Sequence, residues 1–388
     1  MNVFTIASTI TITCIKRLAP YVKREVEELG YVPDEVFQTG VSFMGKMEDC
    51  IRLNLNLRCA SQVLFQLGEF TVDDPQELYQ SIFVLPWEDI LKSDGYFSIT
   101  SSVNHPSITN TMFLNQKVKD AIVDRIRNKK GVRPNTGPDL KQAVVFLYWK
   151  NGRATIHVDT SGETLSKHGY RLHPGKAPML EALVSATLLA SQWDRKSLVI
   201  NPMGGSGTIA IEAALMATGR KPGLLRKNYA FMHLVNYLPE YYEAELGKIK
   251  GDIKEIPKPI ALCSDINPQM IQLAKANARD AGVEDYIRFD VLDFEKVDPP
   301  SENKGIIFFN PPYGDRLGEE MELETLYGRI GDFLKKKGAG YWGYVFTGNL
   351  DLAKKIGLKP KKRLEFFSAT LDCRLLEFEL YEGKKPEK

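Results

Sequence analysis

Apolar residues along the first 90 positions switch between two periods. Phe4 to Ile15 carries them at every second position, which predicts a half-buried strand. Lys16 to Leu29 changes to helical spacing and stops at Gly30. Val36 to Met44 reads again as a strand, Glu48 to Leu57 as a helix and Ala60 to Val72 as a further strand; Asp74-Pro75 then opens another helix. Short strands and helices in this alternation predict a small ferredoxin-like α+β domain over residues 1–90.

Residues 91–165 form a second unit by the same reasoning. Tyr96 to Val103 is strand-like, and Asn115 to Lys129 is helical, with Val118, Ile122 and Ile126 four residues apart. Two β-rich runs then flank Asn151-Gly152, the favoured pair for a tight type I′ hairpin. Between helix and hairpin lie Arg125, Arg127, Lys129, Lys130 and Arg133. That run is either a solvated helix face or a patch that contacts phosphates.

From residue 166 to 388 the elements lengthen and alternate as in a doubly wound α/β sheet. Met179 to Gln192 is an apolar helix and Ser197 to Ile200 a strand. A glycine-rich turn leads into the helix Ile209–Ala217. Strands follow at Ala261–Cys263, Ile287–Val291 and Ile306–Phe309, with a helix from Pro268 to Ala281 closed by Gly282. A long insertion between residues 219 and 253 is rich in aromatic and basic residues; it reads as a helical flap packed on this domain or as a wall of its substrate cleft.

Composition narrows the classes. The chain has 388 residues and a formal net charge of only +2, so any nucleic-acid contact must come from local patches. The five cysteines contain no C-x-x-C pair, and the five histidines show no ligand spacing, which points away from a metal site and from a disulfide framework. The Thr-rich amino terminus reads as a strand, not a signal peptide. No apolar run reaches the ~18 residues of a membrane span. A cytoplasmic enzyme is the expectation.

Two stretches carry chemistry. The first is Asn201-Pro202-Met203-Gly204-Gly205-Ser206-Gly207-Thr208, glycines set between a strand and a helix. Glycine there permits positive φ and close approach of a ligand to the backbone. Asp265, at the end of the next strand, is placed to accept from ribose hydroxyls, and Asp293, after the third, to accept from an adenine amine. The turn is not G-x-G-x-x-G, and Asp265 lies well beyond the ~20-residue spacing of a dinucleotide fingerprint. No phosphate loop is present either. S-adenosylmethionine, with ribose, adenine and an amino-acid tail but no phosphate, fits this pattern best. The expected cofactor set is Asn201, Pro202, Gly205, Ser206, Gly207, Thr208, Asp265, Ile266, Asp293 and Asn310.

The second stretch is Asn310-Pro311-Pro312-Tyr313, directly after an apolar strand. An exocyclic amine on a nucleobase is a poor nucleophile, because its lone pair is delocalised into the ring. The Asn310 side-chain oxygen and the Pro311 carbonyl can accept its two N–H bonds and turn the lone pair toward a methyl group. Prolines stiffen the turn, so the acceptors are preorganised. Tyr313 offers a face for stacking a base taken out of its helix. No strong general base is needed until the proton leaves.

Residues 166–388 resemble class I S-adenosylmethionine-dependent amino-methyltransferases with an N-P-P-Y motif. The whole chain resembles the THUMP-domain RNA methyltransferases, nearest to the bacterial large-subunit (23S) ribosomal RNA guanine-N2 group. The resemblance rests on seven segments in family order: GVRPNTGPDL, ATIHVDTSGETLSKHGYR, KAPMLEALVSATLLAS, NPMGGSGTIAIEAA, SDINPQMIQLAKANARDAGV, NPPYGDRLG and LDCRLLEFEL. It implies a ferredoxin-like region (1–90), a THUMP-like RNA-binding domain (91–165) and a Rossmann-like methyltransferase domain (166–388). It implies that Asn201, Gly205 and Gly207 line the amino-acid tail, and that Lys176 to Leu180 open a helix folded over the cofactor. Expected partners are RNA, with ribosomal RNA ahead of tRNA, and no membrane or metal; the expected state is a monomer or weak homodimer. Alternatives are a tRNA guanine-N2, DNA adenine-N6 or protein glutamine-N5 methyltransferase, or an RNA-binding protein with a decayed site. The chain departs from the family at its first motif, usually D-P-x-C-G-S-G, where Asn201 and Gly204 replace the acid and the cysteine. It departs again at Ser368-Ala369, where Asn-Gly is usual. Some members carry a second methyltransferase domain downstream; none is expected after Lys388.

Overall fold

The computed structural model describes residues 2–105, 110–172, 179–313 and 320–381. The chain forms two compact units. The first comprises Met1–Cys14, Val22–Leu165 and Pro222–Gly251; the second comprises Ile15–Tyr21, Ser166–Lys221 and Asp252–Lys388.

In chain order the elements begin β1 (Ala7–Thr13), α1 (Ala19–Glu28), β2 (Glu35–Phe37), β3 (Gly40–Lys46), α2 (Met47–Asn56) and β4 (Gln62–Thr71). Then come α3 (Pro75–Phe83), β5 (Tyr96–Asn104), α4 (Thr111–Lys130), β6 (Asn135–Thr136), β7 (Ala143–Lys150) and β8 (Arg153–Asp159). Next are α5 (Glu181–Ala190), β9 (Val199–Asn201), α6 (Thr208–Ala217), α7 (Pro239–Gly251), β10 (Ala261–Asp265) and α8 (Pro268–Asp280). The last are β11 (Ile287–Val291), β12 (Ile306–Phe309), α9 (Glu320–Lys337), β13 (Trp342–Thr347), α10 (Leu350–Lys355), β14 (Lys362–Ser368) and β15 (Leu371–Glu379).

Among the described residues the first unit holds an eight-stranded sheet in the order β2-β3-β1-β4-β8-β7-β5-β6. Local chemistry fixes its helices: Asp74 accepts from the Gln76 and Glu77 amides to start α3, and Asn110 does the same for Met112 and Phe113 at α4. Gly131, at φ 71°, ends α4. Asn151 and Gly152 both take positive φ (52° and 76°), as the type I′ hairpin between β7 and β8 requires. One expected strand is two. Val36 to Met44 splits into β2 and β3 around a two-residue turn, because Phe37 pairs with Gly40. Alternation runs unbroken through such a turn, so period alone does not reveal it. A side chain at Gly40 would sit 2.1 Å from the Ile12 carbonyl oxygen, so only glycine fits.

The insertion is a second correction. Residues 222–251 belong to the first unit and are not a flap on the methyltransferase-like domain. Their aromatic residues explain it: Tyr229, Phe231 and Leu234 are buried, and Phe4 stacks on Tyr241 at 5.9 Å. The Arg226 guanidinium donates to the carbonyls of Ser161 (2.8 Å) and Glu163 (2.7 Å), and Asn56 donates to Glu245 (3.0 Å).

Among the described residues the second unit holds a seven-stranded sheet, β11-β10-β9-β12-β13-β15-β14. Strands β11 to β13 run parallel, and β15 returns antiparallel beside β13. Side chains from β9, β12 and β13 pack with α9 in its core, around Ile200, Ile307, Phe309, Tyr327, Ile330, Phe333 and Val345. Strand β9 lies between β10 and β12, so the connections leave it in opposite directions. Ligands of such sheets bind outside the carboxyl ends of the strands at a switch point of this kind.

Candidate active site

The glycine turn, Asp265, Asp293 and Asn310 follow the carboxyl ends of β9, β10, β11 and β12. The glycine turn leaves β9 at Asn201 and enters α6 at Thr208. Its backbone closes on itself and on the next strand: the Gly207 amide donates to Gly204 (2.9 Å) and the Gly204 amide to Ser264 (2.8 Å). Gly205 and Gly207 have φ of 53° and 84°, and a side chain at Gly207 would lie 2.9 Å from Ala274. A side chain on Gly205 would meet nothing within 4 Å, so a ligand can approach closely on that side. Pro202, Ser206 and Thr208 are buried within the turn, and the Asn277 amide holds the Ser206 carbonyl at 3.1 Å.

Asp265 organises this turn. Its carboxylate accepts from the Gly205 amide (3.0 Å) through one oxygen and from the Asn267 amide (2.9 Å) through the other. The remaining lone pairs are available at the strand's end, beside Ile266, which is 70 % exposed. Asp293 follows β11. One of its oxygens accepts from the Glu295 amide (3.0 Å), and the other meets the Arg329 guanidinium (3.2 Å).

Four buried asparagine Oδ1 atoms have no hydrogen-bond partner among the described residues, and two of them, those of Asn201 and Asn310, belong to these turns. Such orphaned acceptors are uncommon, since leaving one unmet costs roughly 1–3 kcal/mol. The Asn201 amide nitrogen donates to the Phe308 carbonyl (3.0 Å), tying β9 to the last turn of β12 just before Asn310. An ionised aspartate could not make that bond, so asparagine trades charge at the site for a strand-to-strand tie. Its free oxygen can accept from an ammonium group.

The second departure from the family motif has a structural partner as well. A side chain at Gly204 would lie 2.4 Å from the Cys263 sulfur, so the Cys263 thiol fills the space into which a cysteine at 204 would project. Burial pushes that thiol up to about 12, which keeps it protonated and inert. Gly204→Cys alone is expected to cost about 1–3 kcal/mol through overpacking, and adding Cys263→Ala should recover most of the loss. Denaturant melts of the two variants check this. The third departure, Ala369, takes φ 51° at the hairpin between β14 and β15, a conformation glycine adopts more readily.

Tyr313 is half-buried. A side chain on Gly348 would touch its ring at 3.3 Å and the Cys373 sulfur at 3.4 Å, so the ring lies over the bare backbone at the end of β13. The hydroxyls of Tyr327 and Thr347 bond at 2.9 Å just behind. Sequence reasoning did not single out Gly348, Arg329 or Thr347; the signal was the Thr-Gly-Asn that ends the apolar run at 347–349. A buried cluster adjoins the site: Glu212 of α6 receives the Tyr170 and Ser185 hydroxyls and pairs with His168 Nδ1, each at 2.8 Å. It pins the segment around Tyr170 and α5 to the cofactor-side helix. Residues Lys176 to Pro178, in the expected helix start over the cofactor, lie outside the described residues.

In the first unit, the basic run occupies the end of α4. Arg125 is withdrawn from it: its guanidinium grips both Glu88 oxygens at 2.9 and 2.7 Å, and that hydrogen bonding holds the Glu88 carboxyl below its usual range. Arg127 pairs with Asp124 (2.9 Å) yet stays 61 % exposed, and Lys129, Lys130 and Arg133 are exposed. Among the described residues, no group of three or more His, Cys, Asp or Glu side chains could hold a metal ion, and no helix is long and apolar enough to cross a membrane.

A doubly wound sheet with a glycine turn, an acid at the next strand's end and an N-P-P-Y turn at its switch point defines the class I methyltransferase architecture. The chain belongs to the RMKL-like methyltransferase domain family, which its residues 168–377 match. Residues 9–64 match the RlmL ferredoxin-like domain and residues 72–160 the THUMP domain. It is 33 % identical to the ribosomal RNA large subunit methyltransferase K/L of Syntrophotalea carbinolica, over 96 % of this chain and 53 % of that protein. With the protein of the same name from Psychromonas ingrahamii it shares 36 %, over 94 % of this chain and 49 % of that one. The chain thus spans about half the length of these curated relatives. Among solved structures, it is similar to a "predicted N6-adenine-specific DNA methylase" from Listeria monocytogenes (TM-score 0.85, 29 % identity, 97 % of each chain). It also shares its fold with "SMU.472, a putative methyltransferase complexed with SAH" (TM-score 0.86, 24 % identity, 97 % of this chain and 99 % of that one).

Proposed function

We propose that this chain transfers a methyl group from S-adenosylmethionine to the exocyclic N2 of a guanine in large-subunit ribosomal RNA. The observation that carries this reading is the Asn310 oxygen, buried just after β12 with no hydrogen-bond partner among the described residues. It is an acceptor waiting for an N–H donor, and a nucleobase amine supplies one.

The cofactor fits the residues present. The open Gly205 backbone and the free Asn201 oxygen suit its amino-acid tail, Asp265 its ribose, and Ile266 with Asp293 its adenine. When bound, S-adenosylmethionine supplies an electrophilic methyl group. Asn310 and the Pro311 carbonyl accept the two N–H bonds of the target amine and orient its lone pair. Tyr313, backed by Gly348, stacks the base. The amine's proton leaves to solvent after transfer, so no buried base is required.

Ribosomal RNA is favoured because the curated relatives that match nearly all of this chain bear that name. The THUMP domain with the exposed Arg127, Lys129, Lys130 and Arg133 would hold the RNA, in the cytoplasm. Reversing charge at Lys129 and Lys130 is expected to weaken RNA binding and to flatten its salt dependence by about two counterions, with cofactor affinity unchanged. Arg125→Glu should instead destabilise the first unit by opposing Glu88. Filter binding across a salt series separates the two effects. The overall reading is tested with labelled S-adenosylmethionine and separated ribosomal RNA and tRNA from a strain lacking the gene. N2-methylguanosine in large-subunit RNA supports it; label confined to tRNA changes the partner and keeps the chemistry; no label in either overturns it.

A further inference from the structure

We propose that Arg329 is a positioning residue that gives the site its preference for a 6-amino purine, acting through Asp293. This rests on the reading above, in which Asp293 receives the adenine amine of the cofactor. Asp293 begins a short turn after β11, and its first oxygen is fixed by the Glu295 amide at 3.0 Å. One such bond leaves the carboxylate plane free to rotate. The Arg329 guanidinium at 3.2 Å from the second oxygen removes that freedom. With both oxygens tied, the carboxylate plane is fixed just after the carboxyl end of β11.

Arg329 is itself held from two further sides. It pairs with Glu295 at 2.6 Å, and its guanidinium lies over the Phe294 ring at 5.2 Å from the centroid. Phe294 meets Phe309 edge to face at 5.7 Å, and Phe309 immediately precedes Asn310. The guanidinium also balances two carboxylates that stand two residues apart. Without it, the Asp293 and Glu295 carboxylates repel, and Asp293 is driven to turn outward. A carboxylate in a fixed plane welcomes an amine and rejects a ring carbonyl. A mobile one distinguishes them poorly. Arg329 sits on α9, the first described element after the catalytic turn, so the adenine side and the target-base side share one helix; Tyr327 of that helix supports Thr347 behind Tyr313.

The test reads a ratio. Calorimetry gives the affinities of S-adenosylhomocysteine and of S-inosylhomocysteine, which carries oxygen in place of the 6-amino group. These are measured on the full chain and on Asp293→Asn, Arg329→Met and Arg329→Lys. The unaltered protein should prefer the amino compound by about a hundredfold, the worth of a hydrogen bond to a charged group. Arg329→Met should cut the preference to about fivefold, chiefly by weakening the amino compound, and Arg329→Lys should restore part of it. A merely structural tie would weaken both ligands alike and leave the ratio intact, which overturns the proposal. Because two affinities are compared within one protein, partial unfolding does not imitate the result; Arg329→Gln serves the same comparison if the methionine variant does not fold. A full preference retained in Asp293→Asn would remove the adenine assignment itself, and Arg329's role with it. A preference lost in Asp293→Asn and kept in Arg329→Met would spare the assignment and sink the proposal.

Discussion

Asn310→Ala is expected to lower the rate of methyl transfer by about 10²–10³-fold or more, the usual loss when one preorganised polar group is removed from a reacting centre. Cofactor binding should survive. The protein should be no less stable, and this is the distinguishing feature. The Asn310 oxygen is buried with no partner among the described residues, so the folded state bears the cost of its desolvation. Alanine removes that cost. A side chain whose removal costs activity and no stability serves the substrate and not the scaffold. Rates from single-turnover labelling and melting temperatures of the same preparations decide the matter. A variant that loses activity only because it unfolds would assign Asn310 to the scaffold, and one that retains turnover would discard the mechanism.

Asp265→Ala is expected to weaken S-adenosylmethionine binding by about a hundredfold or more, from two losses of the kind a charged acceptor supplies. The ribose hydroxyls lose their acceptor. The Gly205 and Asn267 amides also lose theirs, so the glycine turn is no longer braced against the next strand. Asp265→Asn keeps one acceptor oxygen, loses the bond to one of the two amides and lacks the charge, so its affinity should fall between the other two. Equilibrium binding of S-adenosylhomocysteine to the three proteins measures this. Unchanged affinity in the alanine variant would place the ribose elsewhere.

Much of this site could be read along the chain because its chemistry is local. Glycines between a strand and a helix, an acid at the next strand's end and Asn310-Pro311-Pro312-Tyr313 each occupy a few consecutive residues. Parallel strands then bring them to one edge. The same holds for the Asn151-Gly152 hairpin and the Asp74 and Asn110 caps. What escaped notice depends on contacts distant in sequence. Arg329 reaches Asp293 from another helix, and Gly348 matters only because Tyr313 lies over it. The basic run near Arg125 looked uniform, yet Glu88, far earlier in the chain, takes that one residue out of it. Residues 222–251 fold with the first unit although they interrupt the second, because their aromatic side chains are buried there. Periodicity records which face of an element is apolar and not which neighbour covers it. The Gly204 and Cys263 pair shows the same limit, since a departure from the family motif at one position is answered on another strand.

The central claim is that the N-P-P-Y turn receives an exocyclic amine of guanine. Once the modified nucleotide is mapped, the most direct measurement is transfer to an RNA in which that guanosine alone is replaced by inosine, which lacks the N2 amine and keeps the rest of the base. RNA binding should persist and methyl transfer should vanish. Methyl transfer to the inosine-containing RNA at a comparable rate would contradict the account.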